Sequence, residues 1–167
     1  MQREINKTTN ILFAGIGGQG IILASEITCD VLFESGYDVK KSEVHGMSQR
    51  GGSVNSDIRF GAKVYSPLIP DGQTDILVAF HPTELERNRP FLKSGGKIIS
   101  ITHDDADAVS NPKVSNIFLM GKLSCHIPVR RENWENVIKN KVPKAYVEQN
   151  LAAFAAGISQ EQKINNK

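Results

Sequence analysis

The stretch from Ile11 to Leu32 constrains this chain more than any other. A short apolar run, Ile11 to Ala14, leads into Gly15, Gly17, Gly18 and Gly20, and then Ile21, Ile22, Leu23, Ile27, Val31 and Leu32 recur at helical spacing. A buried strand, a glycine turn and an amphipathic helix form the opening unit of a doubly wound α/β domain. Glycines let the backbone approach a ligand or a neighbouring strand closely. The amides of residues 17–20 fall at the helix N-terminus, where free N–H groups and the helix dipole favour an anion. The spacing Gly15-x-Gly17-x-x-Gly20 satisfies a dinucleotide fingerprint, which also wants an acid about 20 residues on; Glu43 stands near that place. Tight packing and phosphate binding both remain open readings of the turn, with free NAD the weakest ligand for it.

Two further apolar runs, Asp75–Phe80 and Lys97–Thr102, are separated from the first by helical patterns. With Ile11–Ala14 they predict three adjacent core strands. The fold class that follows is α/β: a three-layer Rossmann-like domain, a mostly parallel sheet with helices on both faces. The first helix is expected over 18–35, stopped by Gly36, and Tyr37–Lys41 as a short second strand. Ser53–Phe60 alternates, with Val54, Ile58 and Phe60 on one side and Asn55, Asp57 and Arg59 on the other. It reads as a half-buried strand, with Lys63–Ser66 as its antiparallel partner. A short helix from Thr83 is expected to close at Gly95 and Gly96. Helices follow over 114–124 and 131–141, the latter with Trp134, Val137 and Ile138 as its buried stripe. A last helix opens at Pro143 and ends at Gly157. One domain over 1–157 and a polar tail over 158–167 result.

Ser42–Gly52 breaks every periodic pattern and reads as a loop beyond a strand's carboxyl end, where ligands sit in open α/β sheets. Glu43, His45, Gln49 and Arg50 are its candidate contact residues, with Gly51 and Gly52 beside them. Arg50 suits a bidentate grip on phosphate or carboxylate, or an ion pair with Glu43 or Asp57 that shapes the loop. No nucleophile–base arrangement is legible, so no catalytic residue is assigned.

A net charge of +2 gives no case for nucleic acid or an anionic membrane surface. No apolar run has the length of a membrane span, and Met1–Asn10 lacks a signal peptide's apolar core, so a cytoplasmic protein is expected. Cys29 and Cys125 read as reduced thiols, two where an iron–sulfur cluster takes four ligands. The four histidines show no metal-ligand spacing.

Gly15–Gly20 after a strand, the string Ser42–Val54 (Ser-Glu-Val-His-Gly-Met-Ser-Gln-Arg-Gly-Gly-Ser-Val) and Tyr65–Pro70 together resemble the beta subunit of indolepyruvate:ferredoxin oxidoreductase. That subunit is similar to the gamma subunit of the wider 2-oxoacid:ferredoxin oxidoreductase family. The likeness continues through Asn111–Asn116 and Asn150–Phe154. One departure is a stretch missing between the strand at Ile98–Thr102 and Asp105–Val109. The resemblance implies a single gamma-type domain serving as one subunit of an enzyme that oxidatively decarboxylates a 2-oxoacid to an acyl-coenzyme A and reduces ferredoxin. It implies that this chain alone binds no cofactor and is inactive alone. Thiamine diphosphate and the iron–sulfur clusters would belong to a large thiamine-diphosphate-binding catalytic subunit, with ferredoxin reached through the complex. Gly15, Gly17, Gly18, Gln19, Gly20 and the Gln49–Gly52 loop would face that partner or a coenzyme A entrance at the interface. The rival readings are a stand-alone nucleotide- or coenzyme A-binding module and a purely structural assembly subunit.

Overall fold

Strand β1 (Thr9–Ile16) is the middle of a five-stranded sheet of order β2-β3-β1-β4-β5, in a computed structural model that describes residues 7–46, 51–109 and 111–166. The other strands are β2 (Asp38–His45), β3 (Ser53–Gly61), β4 (Thr74–Ala79) and β5 (Leu92–Ser100). β1, β4 and β5 pair in parallel; β3 runs antiparallel to both β1 and β2. Four of the five strands therefore point the same way, and β3 alone is reversed. The expected adjacency of the three apolar runs holds, with β5 as an edge strand that buries Ile99.

Helix α1 (Ile21–Glu34) carries the chain from β1 out to β2, and α2 (Pro82–Asn88) carries it from β4 out to β5 in the opposite direction. Right-handed crossovers in opposite directions put their helices on opposite faces. Ile11 and Phe13 accordingly pack with Ile21, Ala24, Ile27 and Val31 of α1, whereas Leu12, Ala14 and Leu77 pack beneath Leu85 of α2 and Ile69. The α1 face is completed by α3 (Ser115–Ser124), α4 (Arg131–Lys141) and α5 (Val147–Asn165). Helix α1 stops as expected: Gly36 has φ 88°, its N–H donates to the Phe33 carbonyl and Tyr37 N–H to that of Leu32. This is a Schellman end. Trp134, Val137 and Ile138 form the buried stripe of α4.

Several boundaries differ from the sequence reading. Lys63–Ser66 is not a strand, because β3 already has β2 on one edge and β1 on the other. The segment instead runs across the α2 face, held by Arg59, whose Nη1 donates to the carbonyls of Ser66 and Leu68. Gly95 and Gly96 lie inside β5, with Gly95 at φ 73° and a register shift against β4 between Thr74 and Ile76. The helix before them ends at Asn88. Gly157 does not end the last helix: α5 continues to Asn165 and buries Glu161. Gly157 serves the crossing with α3. A Cβ there would sit 2.1 Å from the Phe118 carbonyl oxygen, and one at Gly121 would sit 2.1 Å from that of Phe154.

The turn after β5 is anchored by a buried charge. Lys122 of α3 is 2% exposed and donates to Asp105 at 2.9 Å and to the Ser100 carbonyl at 3.0 Å. Glu161 of α5 lies 3.8 Å away and pairs in turn with His126 at 2.7 Å. Removing a charge this deep from water is tolerated only with such complete pairing.

Candidate functional site

Strand order reverses between β1 and β4, since one connects outward to β2 and the other to β5. In open α/β sheets that point opens a crevice beyond the strands' carboxyl ends. The glycine turn lies there. Gly15 is buried between Ile21 and Phe80, and an added Cβ would come within 2.8 Å of both. Gly18 and Gly20 have φ 96° and 75°, which only glycine adopts freely. Gly20 caps α1 without any side-chain hydrogen bond, and no acid stands in the first turn. The first-turn N–H groups are thus left for an anion.

Gln19 makes two hydrogen bonds within the fold. Its Oε1 accepts the Ile16 N–H at 2.8 Å and its Nε2 donates to the Phe80 carbonyl at 2.9 Å. The side chain stitches the end of β1 to the end of β4 across the root of the crevice.

The second glycine pair joins the first. Gly17 N–H donates to the Gly52 carbonyl at 2.9 Å, and Gly46 N–H to that of Ser53 at 2.7 Å. The connection from β2 to β3 is therefore tied to the glycine turn. Gln49 and Arg50 lie outside the described residues.

Glu43 and His45 belong to β2, not to a loop, because β3 pairs with β2 as far as His45. With β3 inserted between β1 and β2, Glu43 stands two strand spacings from β1, about 10 Å. That distance removes the ribose-binding geometry of a dinucleotide site. The Lys41 ammonium at 2.5 Å holds the Glu43 carboxyl below the usual carboxylate range, and His45 lies 3.6 Å from the same group. No hydrogen bond among the described residues links either of them to the glycine turn. In α1, burial pushes the Cys29 thiol up to about 12, so it is an inert packing group.

Two residues that the sequence reading passed over, Glu84 and Asn116, line the same end of the sheet. Glu84 is buried, accepts from Ser53 Oγ at 2.7 Å and pairs with Arg87 at 3.2 Å. Asn116 opens α3 against Gly20, its amide nitrogen 2.4 Å from where a Cβ would stand. Their signal was positional: Glu84 stands in the first turn of the helix after β4, and Asn116 in the first turn of α3. Among the described residues no group of three or more His, Cys, Asp or Glu side chains could hold a metal ion, and none of the helices is long and apolar enough to cross a membrane.

The fold defines an α/β module of Rossmann-like form, with a glycine turn at the carboxyl end of β1 tied to the β2–β3 pair. Residues 10–160 match the family described as pyruvate ferredoxin/flavodoxin oxidoreductase, and the chain belongs to that family. Indolepyruvate oxidoreductase subunit IorB of Thermococcus kodakarensis is 30% identical, over 95% of this chain and 98% of the relative. That alignment runs to 198 positions against the 167 residues here, so the relative carries residues with no counterpart in this chain. The 2-oxoglutarate synthase subunit KorC of Methanocaldococcus jannaschii is 27% identical over 93% of the chain and 95% of the relative. Among solved structures, the gamma subunit of a keto/oxoacid ferredoxin oxidoreductase from Geobacter sulfurreducens superposes with TM-score 0.78 at 25% identity, covering 93% of this chain and 99% of that one. A 2-oxoglutarate:ferredoxin oxidoreductase from Magnetococcus marinus shares the fold with TM-score 0.81 at 20% identity; the match covers 95% of this chain and 32% of that longer one.

Proposed function

We propose that this chain is the small subunit of a cytoplasmic thiamine-diphosphate-dependent oxidoreductase that decarboxylates an aryl pyruvate such as indolepyruvate, forms the acyl-coenzyme A and reduces ferredoxin. The observation that carries the reading is end-to-end likeness at 30% identity to an indolepyruvate oxidoreductase subunit, within a family of 2-oxoacid oxidoreductases. The chain acts as one subunit of a complex and has catalytic partners. The finer assignment places thiamine diphosphate and the iron–sulfur clusters in a large partner subunit. It suits this chain's chemistry: Cys29 lies in α1 and Cys125 at the end of α3, both as free thiols, which is no cluster cradle. Thiamine diphosphate, when bound in that partner, supplies the electron sink that lets the 2-oxoacid lose carbon dioxide.

This chain's own contribution is at the carboxyl end of β1. The uncapped first turn of α1 suits a phosphate or carboxylate, and Gly17, Gly18 and Gly20 leave room for a close backbone approach. Gln19 ties the ends of β1 and β4 together, and the Gly52 carbonyl brings the β2–β3 connection up to Gly17. Coenzyme A at the subunit interface is the ligand that fits a phosphate-binding turn in an acyl-transferring complex; the Magnetococcus enzyme was solved with coenzyme A and succinyl-CoA bound.

Arg50 provides the test. Arg50→Lys keeps the charge and loses the bidentate fork. The isolated variant is expected to melt within about 0.5 kcal/mol of the parent. In the reconstituted complex, subunit affinity or the KM for coenzyme A should worsen roughly ten- to a hundredfold. A variant that melts lower yet assembles and turns over normally would assign Arg50 to an internal ion pair instead. Absence of any 2-oxoacid-dependent ferredoxin reduction on addition of this chain to its large partner would refute the subunit reading.

A further inference from the structure

The sheet ends in β2 on one side and in β5 on the other. β5 is blunted as an edge: Gly95 turns at φ 73° inside it, and its register against β4 shifts between Thr74 and Ile76. β2 is regular from Asp38 to His45, with no shift against β3. A regular open edge is a template for a further strand.

The Gly46 N–H donates to the Ser53 carbonyl, and this pair continues the β2–β3 register. Bonded and non-bonded pairs alternate along an antiparallel ladder. Lys40, Ser42 and Val44 therefore turn their backbone groups to β3, whereas Val39, Lys41, Glu43 and His45 turn theirs outward. Lysines on an edge ordinarily deter an added strand. Here each is offset within the strand, Lys40 by Asp38 at 2.7 Å and Lys41 by Glu43 at 2.5 Å.

The three most exposed large apolar side chains among the described residues gather at this edge. Val44, 63% exposed, belongs to β2 itself. Tyr65, 89% exposed, follows Val64, whose N–H donates to the Asp38 carboxylate at 2.9 Å. Phe33, 72% exposed, stands one turn beyond Cys29 on the same side of α1. Cys29 lies close enough to Lys41 and Glu43 for their charges to act on its thiol. An aromatic ring is thus left in water on each face of the sheet beside one open edge, a grouping that marks an interaction surface.

We propose that the β2 edge pairs antiparallel with the same edge of a second copy of this chain, about a two-fold axis at Ser42, to make one sheet continuous across both copies. Such an axis, normal to the sheet, sets one residue of the strand opposite itself. Lys40, Lys41 or Glu43 at that place would oppose like charges, which is destabilising. Val39 or Val44 there would overlap only the ends of the strands. Ser42 sets Lys41 opposite Glu43 of the second copy and Glu43 opposite its Lys41. These four charges then alternate in a ring, and the Lys40 stem lies along Val44 of the second copy. The outward backbone groups of Val39, Lys41, Glu43 and His45 face one another as bonded pairs. This inference goes beyond the subunit reading and stands independently of it.

Charge reversal tests it on the full chain, by sedimentation velocity. The parent is expected to dimerise reversibly. Lys41→Glu alone and Glu43→Lys alone each put like charges across the axis and should weaken self-association roughly ten- to a hundredfold. An equimolar mixture of the two restores both opposite-charge pairs between unlike copies, so it should dimerise as the parent does, with one copy of each. Ser42→Cys reads the register, in a Cys125→Ser background because Cys125 is exposed. Facing residues of a non-bonded antiparallel pair have Cα atoms about 4.5 Å apart, within disulfide reach, so mild oxidation should cross-link two copies. Lys40→Cys and Val44→Cys, each about 14 Å from its own counterpart, should not cross-link. A parent that stays monomeric up to roughly 1 mM, a mixture no more associated than its components, or equal cross-linking at all three positions would overturn the proposal. So would a Ser42→Cys cross-link that disappears on addition of the catalytic subunit, which would give this edge to that subunit. Should a reversal variant fold poorly, the cysteine series decides alone. Failure of the chain to join any catalytic subunit, with the dimer intact, counts against the subunit reading only.

Discussion

Gly157→Ala tests whether the α3–α5 crossing holds the helical layer together. The new methyl would stand 2.1 Å from the Phe118 carbonyl oxygen and 3.1 Å from Gly121 Cα. Ordinary carbon contacts begin at about 3.5 Å, so the two helices must part by roughly 1 Å. The obstacle is backbone and cannot swing away. Phe118 and Phe154, both fully buried at this crossing, would lose contacts together. Overpacking of this kind costs about 1–3 kcal/mol, while replacing a mid-helix glycine by alanine returns about 1 kcal/mol. A backbone clash this short belongs at the top of the range, which leaves a net loss of about 2 kcal/mol. For a chain of this size that is about 4–8 °C in Tm, measured by far-ultraviolet circular dichroism. Adding Gly121→Ala should cost less than its own single substitution, because the first separation already makes room for the second. A Tm equal to or above the parent's would refute the reasoning, since that is what an unencumbered helical glycine yields.

Lys122→Met should be more damaging, about 3–5 kcal/mol, because it takes the cation from the buried Asp105 carboxylate; denaturant melts report it directly. Gln19→Ala should cost about 2 kcal/mol by leaving the Ile16 N–H and Phe80 carbonyl without their partner, a loss visible in the melt of the isolated chain that a purely ligand-facing glutamine would not cause. The pH dependence of Asp57 has a definite sign. Its folded pKa is raised by burial, so its contribution to stability is present at low pH and is lost as pH rises through the aspartate range and the folded pKa. Asp57→Asn should therefore gain in Tm relative to the parent between about pH 3 and pH 7; a difference that stays flat or reverses would show that the carboxylate is compensated in the fold.

Much of the architecture was legible because it rests on patterns local to one segment. Ile11–Ala14 followed by glycines, the uninterrupted Asp75–Phe80 run and the stripe of Trp134, Val137 and Ile138 each announce their element unaided. The misreadings arise where a residue's meaning depends on a distant one. Gly157 after an apolar stripe looks like a helix stop, and only the approach of Phe118 and Gly121 shows it to be a contact point. Glu43 and His45 look like loop residues because their strand pairs on one edge alone and alternates weakly. Nothing around Gln19 in the sequence announces its hydrogen bond to the Phe80 carbonyl, 61 residues on. Lys122 did leave a trace, as the single charge in the apolar run from Ile117 to Leu123, and its partners Asp105 and Glu161 lie on either side of it in the chain.

The reversed strand β3 bears on how such a protein can diversify. Its pairing with β2 spans Asp38 to His45 against Gly61 to Val54, and it is closed by the Gly46–Ser53 hydrogen bond. The alignment of the two strands is thus set below the connection that joins them. That connection can change its side chains, or even its length, without sliding the register of the sheet or disturbing a crossover helix. It remains leashed to the glycine turn through Gly17 and Gly52. A lineage can therefore exchange what is presented at the rim of the crevice while the scaffold beneath is inherited intact.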